Sequence, residues 1–281
     1  MRDDMRQSDD NRFIPMTTIN AGKGREVRPD IYYYTNQIVN FVMVGDPSGT
    51  DWVLIDAGMP KSGHKILEVA TERFSRNNRP SAIFLTHGHF DHVGGIVTLL
   101  EEWETPVYAH PAEFMYLSGR EAYDEPDTKV EGGLLAKISS IYPHEPIDIA
   151  PALVPLPHSG NLPGLPGWKW IHTPGHTPGH VSFFRESDRT LIAGDAFVTV
   201  RTDSFYKVII QKEEINGPPR YFTTDWDSAF ESVKKLEALK PEIAITGHGP
   251  AMEGEELRSG LKELVDDFYE VAVPMYGKYV K

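Results

Sequence analysis

The stretch Thr86-His87-Gly88-His89-Phe90-Asp91-His92-Val93-Gly94-Gly95 decides how this chain is read. It follows directly on residues 81–85, SAIFL, a short apolar run of the kind that forms a buried strand. Imidazoles at i and i+2 cannot share a helix face, where i, i+3 and i+4 meet. In a tight loop leaving a strand they converge, and Gly88 is expected to supply the backbone freedom for it. Asp91 and His92 come next, where a helix is expected to begin. Four metal-donor side chains within residues 87–92 crowd a single ion and suit two adjacent ones.

Composition limits what such a site can be. The chain has 281 residues, 40 % of them hydrophobic, enough for one large core or two modest ones. It has no cysteine, which removes disulfides, thiol nucleophiles and thiolate-held zinc. Any metal is then held by imidazole and carboxylate, donors that suit zinc and also iron or manganese. The formal net charge of −13 repels polyanions, and the basic residues are scattered, Lys234-Lys235 being the densest pair. No nucleic-acid partner is expected. No run of about 18 apolar residues offers a membrane span, and the opening MRDDMRQSDDNRFIPM lacks the apolar centre of a signal peptide. A cytoplasmic location, a small-molecule substrate and no membrane partner are the expectations. Residues 1–12, polar and mixed in charge, are expected to be a flexible tail before a single domain over 13–281.

Strands are expected at 38–44, 52–55, 81–85, 106–109, 168–172, 181–185, 190–193 and 242–246, each rich in Val, Ile, Phe or Trp. Helical periodicity marks 61–74, with Ile66, Val69, Ala70 and Phe74 on one stripe, then 93–103, 225–239 and 255–269; Pro241 stops the third. The alternation is that of an α/β chain. No GxGxxG or P-loop supports a nucleotide fold. Residues 118–167 differ, carrying Pro143, Pro146, Pro151, Pro155, Pro157, Pro163 and Pro166 with one helical candidate at 134–141. Such a segment is expected to be a lid or substrate loop, or else a plain surface insertion.

Together with four further stretches, the histidine run resembles the signature of the metallo-β-lactamase superfamily. Leu54-Ile55-Asp56-Ala57-Gly58 precedes it; Thr173-Pro174-Gly175-His176-Thr177-Pro178-Gly179-His180, Ala193-Gly194-Asp195 and Thr246-Gly247-His248-Gly249-Pro250 follow in order. The resemblance implies an α/β (α+β) fold, a four-layer αββα sandwich with metals at one edge between the sheets. It also implies the ligands of two divalent ions: His87, His89 and His176 for one, Asp91, His92 and His248 for the other, with Asp195 bridging both. Zinc is the expected metal, with iron or manganese as alternatives. A hydroxide bridging the two ions would attack the substrate. Asp91 would either orient it and pass a proton to the leaving group, as a catalytic residue, or serve as a ligand alone.

Other residues have less specific readings. Asp56 either accepts the second N–H of a ligating imidazole or is a turn aspartate before Gly58. His172 and His180 read as outer hydrogen-bonding or packing residues, and His64, His110, His144 and His158 as ordinary surface or loop histidines. Phe197, Phe205, Tyr206 and Tyr221, after Asp195, either wall a substrate pocket or pack in the core.

Departures within the superfamily narrow the activity. Asp195 with no cysteine speaks against antibiotic hydrolysis, and His89 in place of a glutamate speaks against oxygen-reducing flavodiiron proteins. The missing basic surface disfavours ribonuclease-like members, and the short stretch after His248 disfavours a glutathione thioesterase. Lactonases of this superfamily carry a tyrosine three positions after the bridging aspartate, where this chain has Val198; Tyr206 or Tyr221 are the candidate stand-ins. Residues 194–208 and 217–229 are similar to bacterial metallo-hydrolases of the YflN type. The leading expectation is hydrolysis of a small ester, lactone or thioester. The alternatives are a phosphodiesterase and an iron-dependent oxidoreductase of the sulfur dioxygenase kind.

Overall fold

In the computed structural model the described residues are 4–128, 130, 143, 145–200 and 213–280. Along them run β1 (Gly24–Arg28), β2 (Ile31–Asn36), β3 (Val39–Gly45), β4 (Trp52–Ile55), α1 (Gly63–Phe74), β5 (Ala82–Phe84), α2 (Phe90–Val93), α3 (Ile96–Glu102), β6 (Val107–Ala109), α4 (Phe114–Leu117) and β7 (Leu153–Pro155). Then come β8 (Asn161–Leu162), β9 (Leu165–His172), β10 (Val181–Arg185), β11 (Thr190–Gly194), β12 (Val198–Val200), β13 (Glu213–Asn216), α5 (Trp226–Ala238), β14 (Ile243–Thr246), β15 (Met252–Glu253), α6 (Gly254–Asp266) and α7 (Phe268–Val271). The chain divides into two units: Met1–Met16, Asn20–Tyr123 and Pro143–Pro166 form the first, and Thr17–Ile19, Asp124–Tyr142 and Gly167–Lys281 the second.

The first unit holds a sheet in the order β1-β2-β3-β4-β5-β6-β7. Its first four strands are antiparallel neighbours, and β4 to β7 pair in parallel. A parallel edge needs crossovers, and α1 and α3 supply two of them. The expected stripe of α1 is the buried one, with Ile66, Val69, Ala70 and Phe74 against Leu54, Ile83 and Leu99 in one apolar cluster. Trp52 stacks on Phe74 at 4.4 Å and meets Trp103 edge-on at 5.6 Å. Each such side chain contributes about 1.5–3 kcal/mol on leaving water.

The expected helix over 93–103 is instead broken by Gly94-Gly95. Gly94 N–H donates to Gly58 O and Gly95 N–H to Ala57 O, both at 2.9 Å, so these amides serve a neighbouring turn instead of the helix. A Cβ on Gly94 would lie 2.2 Å from the carbonyl carbon of Met59, and only glycine lets the turn come so close. The N-terminal segment also has contacts in this unit: Met5 and Ile14 are buried and Arg6 bridges to Asp148. Within residues 118–167, β7 extends the sheet beside β6; the helical candidate at 134–141 and His144 lie outside the described residues.

The second unit is built on a sheet in the order β15-β14-β11-β10-β9. β9, β10 and β11 form an antiparallel meander, while β11 and β14 run parallel. The expected helices at 225–239 and 255–269 are α5 and α6, the latter ending at Asp266 and followed by α7. Asp225 caps α5, its Oδ1 accepting the Ser228 N–H at 3.0 Å. Trp226, Ala229, Val233 and Leu236 of α5 and Leu257, Leu261 and Leu264 of α6 fill a core with Phe197 and Phe268. A small ribbon, β12 with β13, went unread because Val198–Val200 is too short to show a period. Among the described residues no helix is long and apolar enough to cross a membrane.

Candidate metal centre

In the first unit the parallel pairing of β4 and β5 brings their outgoing loops together. Asp56 leaves β4 with φ of 61°, and its N–H donates to Phe84 O at 2.9 Å. Its carboxylate, 3 % exposed, accepts three hydrogen bonds at 2.8 Å each: Oδ1 from Thr86 N–H, and Oδ2 from the Thr86 hydroxyl and from His92 Nδ1. Thr86 Oγ1 in turn lies 3.0 Å from His87 Nδ1, placed to accept its proton. One buried carboxylate thus orders two imidazoles, one directly and one through a threonine. With the proton fixed on Nδ1, each ring keeps its Nε2 lone pair for a cation. Asp56 is therefore the acceptor of an imidazole N–H, and its left-handed φ makes it a turn residue as well. His87, His89, Asp91 and His92 are all buried, with the His87 ring 4.7 Å from that of His89 and 4.2 Å from that of His92.

Gly88 has a different reason from the one expected. An added Cβ would meet the Tyr123 hydroxyl at 2.6 Å, so the missing side chain makes room for a tyrosine. Gly88 N–H donates to Glu113 Oε2 at 2.9 Å and faces Tyr123 Oη at 3.0 Å, while the Tyr123 hydroxyl donates to the same Glu113 oxygen. Burial, and then the negative charge of Glu113, push the Tyr123 hydroxyl well above the usual tyrosine range, so it keeps its proton. Glu113 is fully buried and ends the short 3-10 turn Pro111–Glu113, which His110 caps by accepting the Ala112 N–H at 3.2 Å.

In the second unit the parallel strands β11 and β14 do for Asp195 and His248 what β4 and β5 do for Asp56 and His87. Gly194 pairs with Thr246, and Gly247 N–H donates to Gly194 O at 2.8 Å. Asp195 and His248 therefore leave neighbouring strand ends. His248 Nε2 lies 3.3 Å and His176 Nε2 3.5 Å from the same Asp195 Oδ2, and all three are buried. Donors about 2.0–2.1 Å from one tetrahedral ion sit roughly 3.3 Å apart, so each imidazole is spaced from the carboxylate oxygen as two donors of one ion would be. His176 Nδ1 is 3.1 Å from Thr223 Oγ1, whose own proton goes to Pro219 O at 2.8 Å; that hydroxyl takes the imidazole proton and again leaves Nε2 for metal. His180 is not free to ligate. Its Nε2 accepts the Asp195 N–H at 2.9 Å, and its Nδ1 faces Thr173 O at 3.1 Å, so it anchors the aspartate. His172 Nε2 donates to Pro178 O at 2.9 Å, tying down the same loop.

The donors in each unit fit hard or borderline divalent metals, being imidazole and carboxylate throughout, with partners that select the ligating tautomer. His64 and His158 are exposed, as expected of surface histidines. Phe197 is fully buried in the second unit's core; Tyr221 is also buried, and Phe205 and Tyr206 lie outside the described residues. Thr86, Thr223, Glu113 and Tyr123 had no reading of their own. Thr86 stands directly before His87, and a hydroxyl beside a histidine was its signal, whereas Thr223 lies 47 residues from His176 and carried no such signal. The last two offered none.

A sequence profile of the metallo-β-lactamase superfamily matches residues 34–248. The chain belongs to the metallo-β-lactamase superfamily. It is 46 % identical over 257 residues to the probable metallo-hydrolase YflN of Bacillus subtilis (strain 168), covering 90 % of this chain and 97 % of that protein. With the probable metallo-hydrolase YybB of the same organism it shares 31 % over 201 residues, 72 % of this chain and 77 % of the other. Among solved structures, TTHA1623 in a di-iron-bound form is 29 % identical with a TM-score of 0.51, over 76 % of this chain and 89 % of that one. An archaeal superfamily member, ST1585 from Sulfolobus tokodaii, aligns with a TM-score of 0.56 at 20 % identity, over 92 % and 85 %. The fold is the superfamily's, α/β with two mixed sheets flanked by helices. Its buried His/Asp clusters are suited to divalent metals, and the di-iron relative shows that the metal varies among members.

Proposed function

We propose that this protein is a dinuclear metal-dependent hydrolase of a small ester, lactone or thioester. The observation that carries the reading is the Asp195 carboxylate with the His248 and His176 nitrogens at 3.3 and 3.5 Å from one oxygen, each imidazole spaced from that oxygen as two donors of one ion would be. By resemblance to the superfamily, the reading assigns His87, His89 and His176 to one ion, Asp91, His92 and His248 to the other, and Asp195 to both. Zinc is the proposed metal, with iron and manganese as the alternatives. When bound, two such ions would supply Lewis acidity toward a carbonyl oxygen and acidify a bound water.

The chain's own residues do the rest. Asp56, Thr86 and Thr223 hold imidazole protons on Nδ1, so the ligand set needs no rearrangement when metal arrives. His180 holds the Asp195 backbone. Asp91, buried in the first turn of α2, is the group proposed to orient the nucleophile and carry a proton to the leaving group. An overall charge of −13 and the absence of any strongly basic stretch favour a small-molecule substrate over nucleic acid or anionic membrane.

The test is metal analysis of the purified protein, followed by turnover of the zinc-, manganese- and iron-loaded forms on lactones, thioesters, carboxylic esters and phosphodiesters. Two ions per chain, acyl-ester or lactone turnover, and loss of at least about a hundredfold in His87→Ala are expected. A single redox-active iron per chain with oxygen uptake would replace this reading with an oxidoreductase. Turnover that survived His87→Ala would remove the assigned centre as its source.

A further inference from the structure

Gly88 is the peptide link between His87 and His89, and a buried carboxylate from elsewhere in the first unit holds its N–H. We propose that Glu113 and Tyr123 form a positioning pair for His89, Glu113 acting through the Gly88 amide and Tyr123 through the face of the imidazole. The inference rests on the metal reading of His87 and His89.

The geometry has three parts. Glu113 Oε2 accepts the Gly88 N–H at 2.9 Å and the Tyr123 hydroxyl proton as well, so one fully buried oxygen fixes both the loop and the tyrosine. The Tyr123 ring meets the His89 ring at 4.5 Å and 61°, an edge contact that restricts how the imidazole turns. Tyr116 stacks behind Tyr123 at 3.9 Å and 16°, closing off the direction in which Tyr123 would retreat. Thr86 orders the ring of His87 by a hydrogen bond; the aromatic pair orders the ring of His89 by shape. Glu113 also places a formal negative charge one hydrogen bond from the backbone between two cation ligands. Such a charge favours a dication nearby and is costly to bury without one.

Two variants separate charge from shape. Glu113→Gln keeps the outline and an acceptor oxygen but removes the charge, and Tyr123→Phe keeps the ring against His89 but removes the hydroxyl. Each metal-free variant is titrated with cobalt(II), followed by its d–d absorption and by competition with a chromophoric chelator, and the unfolding temperature of each metal-free form is measured alongside. Glu113→Gln is expected to weaken one of the two cobalt-binding steps by about 10–100-fold, the range for partners that support metal ligands. Its metal-free unfolding temperature should stay within a few degrees of the wild type. Tyr123→Phe should weaken the same step less, by several-fold. Wild-type affinity in both variants would overturn the pair, as would an affinity loss matched by lost stability of the metal-free form, which would mark a purely structural role. If Glu113→Gln does not fold, Tyr123→Phe alone decides between the same outcomes. Wild-type protein that binds no cobalt would sink the metal reading itself, an outcome distinct from two bound ions that ignore both substitutions.

Discussion

At the scale of single residues, the centre depends on where imidazole protons are held. Asp56 and Thr223 do this with different strengths. A carboxylate takes the His92 proton at 2.8 Å, whereas a neutral hydroxyl takes that of His176 at 3.1 Å. Charge-assisted bonds are roughly twice as strong as neutral ones. Asp56→Asn should therefore lower metal content more than Thr223→Val, by about 10–100-fold in affinity against several-fold, as read by chelator competition. Equal losses would contradict the ranking. The four ligand-bearing stretches were legible in the sequence because each pairs an apolar run with its donors at its end. Asp56 was legible too, since it precedes Gly58 in such a stretch. Glu113 and Tyr123 were not: they reach Gly88 from 25 and 35 residues away, and no local pattern announces a contact of that range.

At the scale of elements, parallel strand pairs aim the donors, and tight hairpins keep those pairs in register. The β10–β11 hairpin is held by Arg185, whose Nε and Nη2 grip Asp188 Oδ1 and Oδ2 at 2.9 and 2.6 Å. Burial alone would raise the Asp188 carboxyl, but hydrogen bonds from Arg185 and Thr190 outweigh it and hold it below the usual aspartate range. A depressed folded value means that this contribution is present above the unfolded value, near pH 4, and is lost as pH falls through the lower folded one. Asp188→Asn should thus destabilise by about 0.5–1 kcal/mol at pH 7, discounted for solvent screening. In thermal unfolding the gap to wild type should narrow as pH falls below the unfolded value and through the lower folded one, where Asp188 becomes neutral. Expected helices failed where backbone amides had other work, as at Gly94-Gly95. Periodicity cannot see that, because Val93, Ile96 and Leu100 keep a helical spacing across the break.

At the scale of the whole molecule, metal and stability are linked. Ions that bind only the folded chain stabilise it by about 2.7 kcal/mol at a hundredfold excess over their dissociation constant. Removal by chelator should lower the unfolding temperature by several degrees and abolish turnover, and restoring zinc should recover both. An unchanged transition would mean that the His/Asp clusters hold nothing. The two sheets and their helices were foreseen in outline; the antiparallel start of the first sheet was not, although Ile31–Asn36 is rich in tyrosine and reads as a strand once its neighbours are known. Ala57 N–H donates to His92 O at 2.6 Å, and the Gly94 and Gly95 amides return two bonds to the turn. Three backbone bonds in a row tie the loop after β4 to the segment that follows the histidines. Amides in most loops exchange with solvent through small local openings, but these three can open only if Asp56, His92 and the glycines part together. The histidine loop is therefore expected to exchange as slowly as the strands that support it, and substrate would meet a surface that is already set.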